Sequence, residues 1–194
     1  MYGLGNMGYS ATVYLGPLAA ESLGREAVFE GMAVFCLVAA PLFFALARNA
    51  PEERRKAAPG LRLRELAREP MAWLLSAYYA LTFGSFVAFS VYLPTLLRDE
   101  FGQTPAEAGL RTAGFVILAT LARPFGGLLA DRMGGARVLS GVFLGVIPFG
   151  LLLIGTSPTV FGVGAAGCGV CLGIGSGAVF KLVPQLFPNG TATA

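Results

Sequence analysis

The sequence predicts an all-α, polytopic membrane protein with six transmembrane helices. Hydrophobic residues make up 55% of the 194 residues and charged residues only 13%, whereas a soluble domain usually carries about 25% charged residues. Long apolar segments alternate with short polar loops, and each is near or above the length that crosses a bilayer. The ten-residue alternation of barrel strands is not repeated along the chain, so the spans are expected to be helical. We therefore expect a multi-pass protein of the cytoplasmic membrane.

The six predicted spans each end where charged or turn-forming residues return. They run, in order, over residues 2–20, 27–47, 71–97, 106–130, 138–156 and 159–187. Prolines inside the spans, among them Pro17, Pro41, Pro94, Pro148 and Pro184, are expected to kink the helices because proline lacks the backbone N–H donor.

The cationic residues predict which side of the membrane each loop faces. Half of the 14 Lys and Arg residues lie between Arg48 and Pro70, and the loop after residue 130 adds Arg132 and Arg137. Two spans separate these loops, so they face the same side, and the excess of cations identifies that side as the cytoplasm. Within the linker, residues 61–69 (LRLRELARE) could form a short surface helix, although a solvated charged linker is also compatible with the pattern.

Arg123 is the residue most indicative of function. It lies in the segment 113–130, which is otherwise apolar, and arginine cannot lose its proton to reduce the cost of burial. Asp131 marks the polar end of this segment and lies eight residues further on, about 12 Å of helix rise, which is too far for easy snorkelling. An inward-facing anion site and a structural ion pair both remain open.

The segment 127–137 (GLLADRMGGAR) lies where a span meets a cytoplasmic loop. Its glycines permit a tight turn, and its charges can form charge-assisted bonds between helix ends. This motif resembles the GxLADRxG loop of the major facilitator superfamily. The resemblance implies that the sequence forms part of a major facilitator fold and that a cytoplasmic gate motif is made by Gly127, Asp131, Arg132, Gly134 and Arg137.

Four further segments resemble the nitrate/nitrite porter family of that superfamily. They are GLGNMGYS at residues 3–10, YALTFGSF at 79–86, LARPFGG at 121–127 and GIGSGAVFKLVP at 173–184. By this resemblance the sequence covers helices five to ten of a twelve-helix carrier, and we expect it to be a fragment. Residues 1–47 would supply the last two helices of the N-terminal bundle, 48–70 the cytoplasmic linker, and 71–194 the first four helices of the C-terminal bundle.

The porter resemblance also implies a substrate site. Arg123 corresponds to the substrate arginine of the C-terminal half, Tyr79 and Phe83 to the aromatic residues that sandwich a flat anion, and Asn6 to a polar contact on helix five. Positions 79 and 83 share one face of a helix, and the planar fork of a guanidinium suits a planar oxyanion. Ordinary helix packing is the alternative interpretation of Tyr79 and Phe83.

Small residues predict close helix contacts. Gly169, Gly173 and Gly177 recur at four-residue spacing, and Gly3 and Gly5 lie in the first span. The pattern Gly3-x-Gly5-x-x-Gly8 formally satisfies a dinucleotide fingerprint, but no strand precedes it. We therefore predict that these glycines pack helices together.

The sequence favours a secondary carrier for nitrate, nitrite or both, with a major facilitator carrier for another small anion as the alternative. There is no histidine, and Cys36, Cys168 and Cys171 lie in apolar segments, so neither a metal nor a cofactor is predicted. No span carries a paired carboxylate or an activated nucleophile, which argues against an enzyme. The expected partners are a small inorganic anion, the lipid bilayer and the missing helices of the same carrier, and not a nucleic acid.

Overall fold

The computed structural model describes residues 2–46 and 67–187, with side chains from residue 8 onward. Six long helices occupy these ranges: α1 (Tyr2–Leu23), α2 (Arg25–Leu46), α3 (Pro70–Phe101), α4 (Pro105–Met133), α5 (Gly135–Leu152) and α6 (Pro158–Leu186). The prediction of an all-helical chain is confirmed. Most of the linker, including residues 61–66 of the possible surface helix at 61–69, lies outside the described residues.

Five of the described helices, α2 to α6, are long and apolar enough to cross a membrane. The remaining helix, α1, has 22 residues. Apolar side chains cover the surface of α2, and none of its residues is buried. Length and composition therefore support the multi-pass arrangement that the sequence predicts.

Tight connections force consecutive helices to lie antiparallel. A single glycine joins α1 to α2 and another joins α4 to α5, with φ angles of +87° at Gly24 and +88° at Gly134. Only glycine adopts such angles without a steric penalty. The connection from α3 to α4 ends in a capping box, in which Thr104 accepts a hydrogen bond from the Glu107 backbone and Glu107 accepts one from the Thr104 backbone.

The sequence predicts one continuous helical span in this region, but α3 is not α-helical throughout. Residues Ala80–Gly84 form a π-helix between the α-helical segments Pro70–Tyr79 and Ser85–Phe101. Thr82 in this turn is fully buried, and its hydroxyl donates to the carbonyl oxygen of Tyr78 at 2.9 Å. Its methyl group packs against Gly175 of α6, where an added Cβ would lie 2.7 Å away. The π-turn thus fits α3 against α6.

Helices α4 and α6 pack in parallel, in a regular register. Along α6, Gly169 faces the ring of Phe115, Gly173 faces the carbonyl oxygen of Ala119, and Gly177 faces the carbonyl oxygen of Arg123. A Cβ at any of the three glycines would overlap the facing group of α4. One contact per helical turn brings the two backbones close together, which only small residues allow.

Two hydrophobic clusters form the core, one toward each end of the helices. The first is centred on residues of α3, α4 and α6 that include Phe86, Leu97, Phe115, Val116 and Phe161. The second lies toward the opposite end and is formed by Leu75, Ala130, Val138, Leu139, Val142, Ala178, Val179 and Phe187. The segments of α3, α4 and α6 between these clusters carry the polar and aromatic residues of the candidate site.

Candidate functional site

The candidate site lies between the two hydrophobic clusters, near the middle of α4. Arg123 is ten residues before the last residue of α4, Met133, which corresponds to about 15 Å of helix rise. Its side chain is partly buried. Because Gly177 packs against the Arg123 carbonyl oxygen, the backbone that carries the guanidinium is fixed between two tightly packed helices.

The guanidinium of Arg123 lies over two phenyl rings of α3. Its central carbon, Cζ, is 5.3 Å from the ring centroid of Phe83 and 4.8 Å from that of Phe86. Both distances are within the range of cation–π attraction, which amounts to about 0.5–2 kcal/mol per contact depending on desolvation. A permanent charge in an apolar span is thus surrounded by aromatic groups.

The rings themselves form a continuous series along α3. Tyr79 stacks on Phe83 with 5.1 Å between centroids and an interplanar angle of 11°. Phe83 in turn stacks on Phe86 at 5.9 Å. Phe180 of α6 meets Tyr79 edge-on at 5.2 Å. The predicted pair at positions 79 and 83 therefore shares one face.

A cavity of about 290 Å³ opens beside Tyr79 and Phe180, between the start of α3 and the end of α6. This volume would hold several water molecules, since each occupies about 30 Å³ in the liquid. A larger cavity, of about 410 Å³, lies near the start of α4 beside Arg111 and Pro158. Arg123 lines neither of these two cavities. The smaller one is the cavity that adjoins the aromatic series.

The predicted gate motif forms the end of α4 and the turn to α5. Asp131 makes an ion pair with Lys181 of α6, with an Oδ2–Nζ distance of 2.8 Å, and both side chains are about half exposed. Arg132 and Arg137 are exposed, and Gly134 makes the turn with its positive φ. Gly127 packs at ordinary contact distance against the aliphatic part of Lys181. The ion pair joins α4 to α6, two helices of the region 71–194.

The structure brings together three of the four residues predicted to contact an anion, namely Arg123, Tyr79 and Phe83. Asn6 lies in the first turns of α1, and its side chain is outside the described residues, as are the surroundings of Gly3 and Gly5. Two aromatic residues of the group were not singled out from the sequence, Phe86 and Phe180. Phe86 follows Phe83 by three residues, so its position on the same helical face was available as a signal.

Comparison with known proteins gives a consistent result. The Major Facilitator Superfamily model matches residues 1–194. A Nitrite extrusion protein of Bacillus subtilis is 41% identical over 196 residues, covering 100% of this chain and 49% of the relative. A Probable nitrate transporter NarT of Staphylococcus epidermidis is 32% identical, and the match covers 100% of this chain and 50% of the relative. A Probable nitrate/nitrite transporter NarK2 of Mycobacterium tuberculosis is 35% identical, and the match covers 97% of this chain and 48% of the relative.

These similarities confirm the predicted resemblance to nitrate/nitrite porters. The chain spans about half the length of the curated relatives that it matches. Together with the long apolar helices, the match identifies a multi-pass protein of the cell membrane.

Proposed function

Because this chain belongs to the Major Facilitator Superfamily, we propose that it forms part of a secondary carrier that moves nitrate, nitrite or both by alternating access. The observation that carries the proposal is the guanidinium of Arg123, held at mid-span over the rings of Phe83 and Phe86. A central arginine costs about 2.5–3.5 kcal/mol on insertion scales, and charged residues within membrane spans typically mark a substrate or ion pathway. The relatives named above carry nitrite or nitrate in their names.

The chemistry of the group suits a small planar oxyanion. The guanidinium offers N–H donors in one plane, which can bind two oxygens of one anion simultaneously. Tyr79 and Phe83 provide flat apolar surfaces that fit the faces of a planar solute. In this proposal Arg123 supplies the charge, Tyr79 and Phe83 confine the anion, and Asn6 supplies a further polar contact from α1.

The proposal also assigns the helices to the two bundles of the carrier. Residues 1–47 would contribute two helices of one bundle and residues 71–194 four helices of the other, joined by the cytoplasmic linker 48–70. Relatives of about twice the length support a transporting unit in which these six helices act together with further helices of the same carrier. The pair Asp131–Lys181 would then tie α4 to α6 at the cytoplasmic face of the second bundle.

Substitution of Arg123 tests the substrate assignment. Arg123→Lys keeps the positive charge but removes the planar fork, and Arg123→Ala removes both. We expect nitrate affinity to fall roughly ten- to hundredfold in the lysine variant, because a charge-assisted hydrogen bond contributes about 1.5–3 kcal/mol. Nitrate binding is measured on the purified chain in lipid nanodiscs. Transport is measured in a chimera that places these residues in the Bacillus subtilis relative.

The matched control is Arg111→Lys, on the same helix. Arg111 is exposed near the start of α4 and donates to the carbonyl oxygen of Pro158 at 3.3 Å, so its substitution should leave nitrate affinity unchanged. Normal affinity in a well-expressed Arg123→Lys variant would make Arg123 a structural residue. If acetate or formate competed with nitrate as strongly as nitrite does, the carrier would be assigned to carboxylates instead of nitrate.

A further inference from the structure

We infer that Phe86 is a positioning residue for anion binding, which holds the guanidinium of Arg123 through the face of its ring. The inference rests on the proposed function of Arg123. It assigns a role to a residue that lies outside the predicted pair of aromatic contacts, Tyr79 and Phe83. The cation–π distance to Phe86 is the shorter of the two, at 4.8 Å against 5.3 Å for Phe83.

The burial of Phe86 distinguishes its role from that of its neighbours. Only 4% of Phe86 is exposed, whereas Tyr79 and Phe83 are partly exposed. A solute that enters the site can therefore meet Tyr79 and Phe83 but not Phe86. Any influence of Phe86 on an anion must act through the guanidinium that it contacts.

An unsupported arginine would be a poor anion receptor. Its long side chain has many rotamers, and part of that conformational entropy is lost each time an anion is bound. A ring face attracts the positive charge through its quadrupole, and it presents no acceptor oxygen that would compete with an anion for the N–H donors. Two rings from successive turns of α3 restrict the guanidinium before the anion arrives, which is preorganisation.

The position of Phe86 is itself determined by a chain of contacts. Its ring stacks on Phe115 of α4 with 5.9 Å between centroids and an interplanar angle of 16°. Phe115 packs against Gly169, where an added Cβ would lie 2.8 Å from the ring. Phe115 lies eight residues before Arg123, about two turns along the same face of α4. The close α4–α6 contact therefore fixes both the backbone of Arg123 and the ring that supports its side chain.

A fluorination series at position 86 separates this role from simple packing. Mono-, di- and trifluorinated phenylalanines keep the shape of the ring but progressively weaken the negative potential on its face. The nitrate dissociation constant of the full chain in nanodiscs should rise with each fluorine and reach about three- to tenfold for the trifluorinated ring. Phe86→Leu, which has no ring, should lose at least as much affinity.

The same series at Phe89 provides the control. Phe89 also contacts Phe115, with 5.6 Å between centroids, but the rings over which Arg123 lies are Phe83 and Phe86. Fluorination of Phe89 should leave the dissociation constant unchanged. A flat trend at position 86 in a chain that binds nitrate would overturn the inference and leave the proposed function standing. If the chimera that carries the unmodified residues transported neither nitrate nor nitrite, both would fall.

Discussion

Individual polar residues in this protein are stabilised by partners that a local reading of the sequence does not reveal. Pro94 lies inside α3 and lacks the N–H that would bond to the carbonyl four residues earlier, which belongs to Ser90. The Tyr9 hydroxyl of α1 donates to that carbonyl oxygen at 3.0 Å. A side chain from another helix thus satisfies the acceptor that the proline leaves without its usual partner.

This arrangement predicts that the effect of Tyr9→Phe depends on Pro94. Removal of the hydroxyl should destabilise the chain by about 0.5–1.5 kcal/mol, measured by denaturant unfolding in micelles. In a Pro94→Ala background the restored N–H bonds to the Ser90 carbonyl, so Tyr9→Phe should have little effect. Tyr14→Phe on the same helix is the control. Equal losses in both backgrounds would show that the proline and the tyrosine are not coupled.

At the scale of helices, the pairing of α4 with α6 determines the geometry of the site. Gly177 contacts the backbone of Arg123, Gly173 that of Ala119 and Gly169 the ring of Phe115. Because these contacts repeat every four residues on both helices, the two helices form one unit. Anything that separates them displaces Arg123 from the rings of α3.

Gly173→Ala should therefore destabilise the chain by about 1–3 kcal/mol, because the added methyl group forces the backbones of α4 and α6 apart. Gly141→Ala is the matched control, since it lies within α5 and an added Cβ there would meet nothing within 4 Å. Alanine is the better helix former by up to about 1 kcal/mol, so the control should be neutral or stabilising. Thermal unfolding of both purified variants gives the comparison, and equal shifts would contradict the packing argument.

The helices themselves were largely predictable from the sequence, whereas their details were not. Apolar length indicated six spans, and the single charge in the segment 113–130 indicated Arg123. The π-turn Ala80–Gly84 has no local signal, because it depends on the fit of Thr82 against Gly175 of a helix far along the chain. The pair Asp131–Lys181 joins residues 50 positions apart, so only the packing of α4 on α6 brings them together.

The whole molecule has an uneven distribution of charge between its two ends. Since α3 and α4 are antiparallel, the start of α3 and the end of α4 lie at the same end of the protein. The start of α3 follows the linker 48–70 in the sequence, and the linker and the α4–α5 turn together contain most of the cations. The loop between α5 and α6, residues 153–157, lies at the opposite end and carries no charge. From the positive-inside rule we therefore predict that the end of the protein at which α3 starts faces the cytoplasm.

Cysteine labelling in intact cells tests this orientation. The three native cysteines are first replaced, and single cysteines are introduced at Ala136, next to the α4–α5 turn, and at Thr156, in the opposite loop. Both positions are exposed. An impermeant maleimide should label Thr156→Cys but not Ala136→Cys, and Ala58→Cys in the linker should be protected as well. The reverse pattern would invert the topology, and permeabilised cells serve as the control for reactivity.

The parallel register of α4 and α6 also has a consequence for biosynthesis. Residues 134–186 must be synthesised after α4 before α6 is complete, which takes about 3 to 10 s at typical rates of translation. During that interval α4 must remain in the bilayer without its partner, although a central arginine costs about 2.5–3.5 kcal/mol on insertion scales. Its eight Leu, Ile, Val and Phe residues between 115 and 129 contribute roughly −2 to −5 kcal/mol. The apolar side chains of α4 thus offset the cost of Arg123 and allow the translocon to release this helix into the membrane.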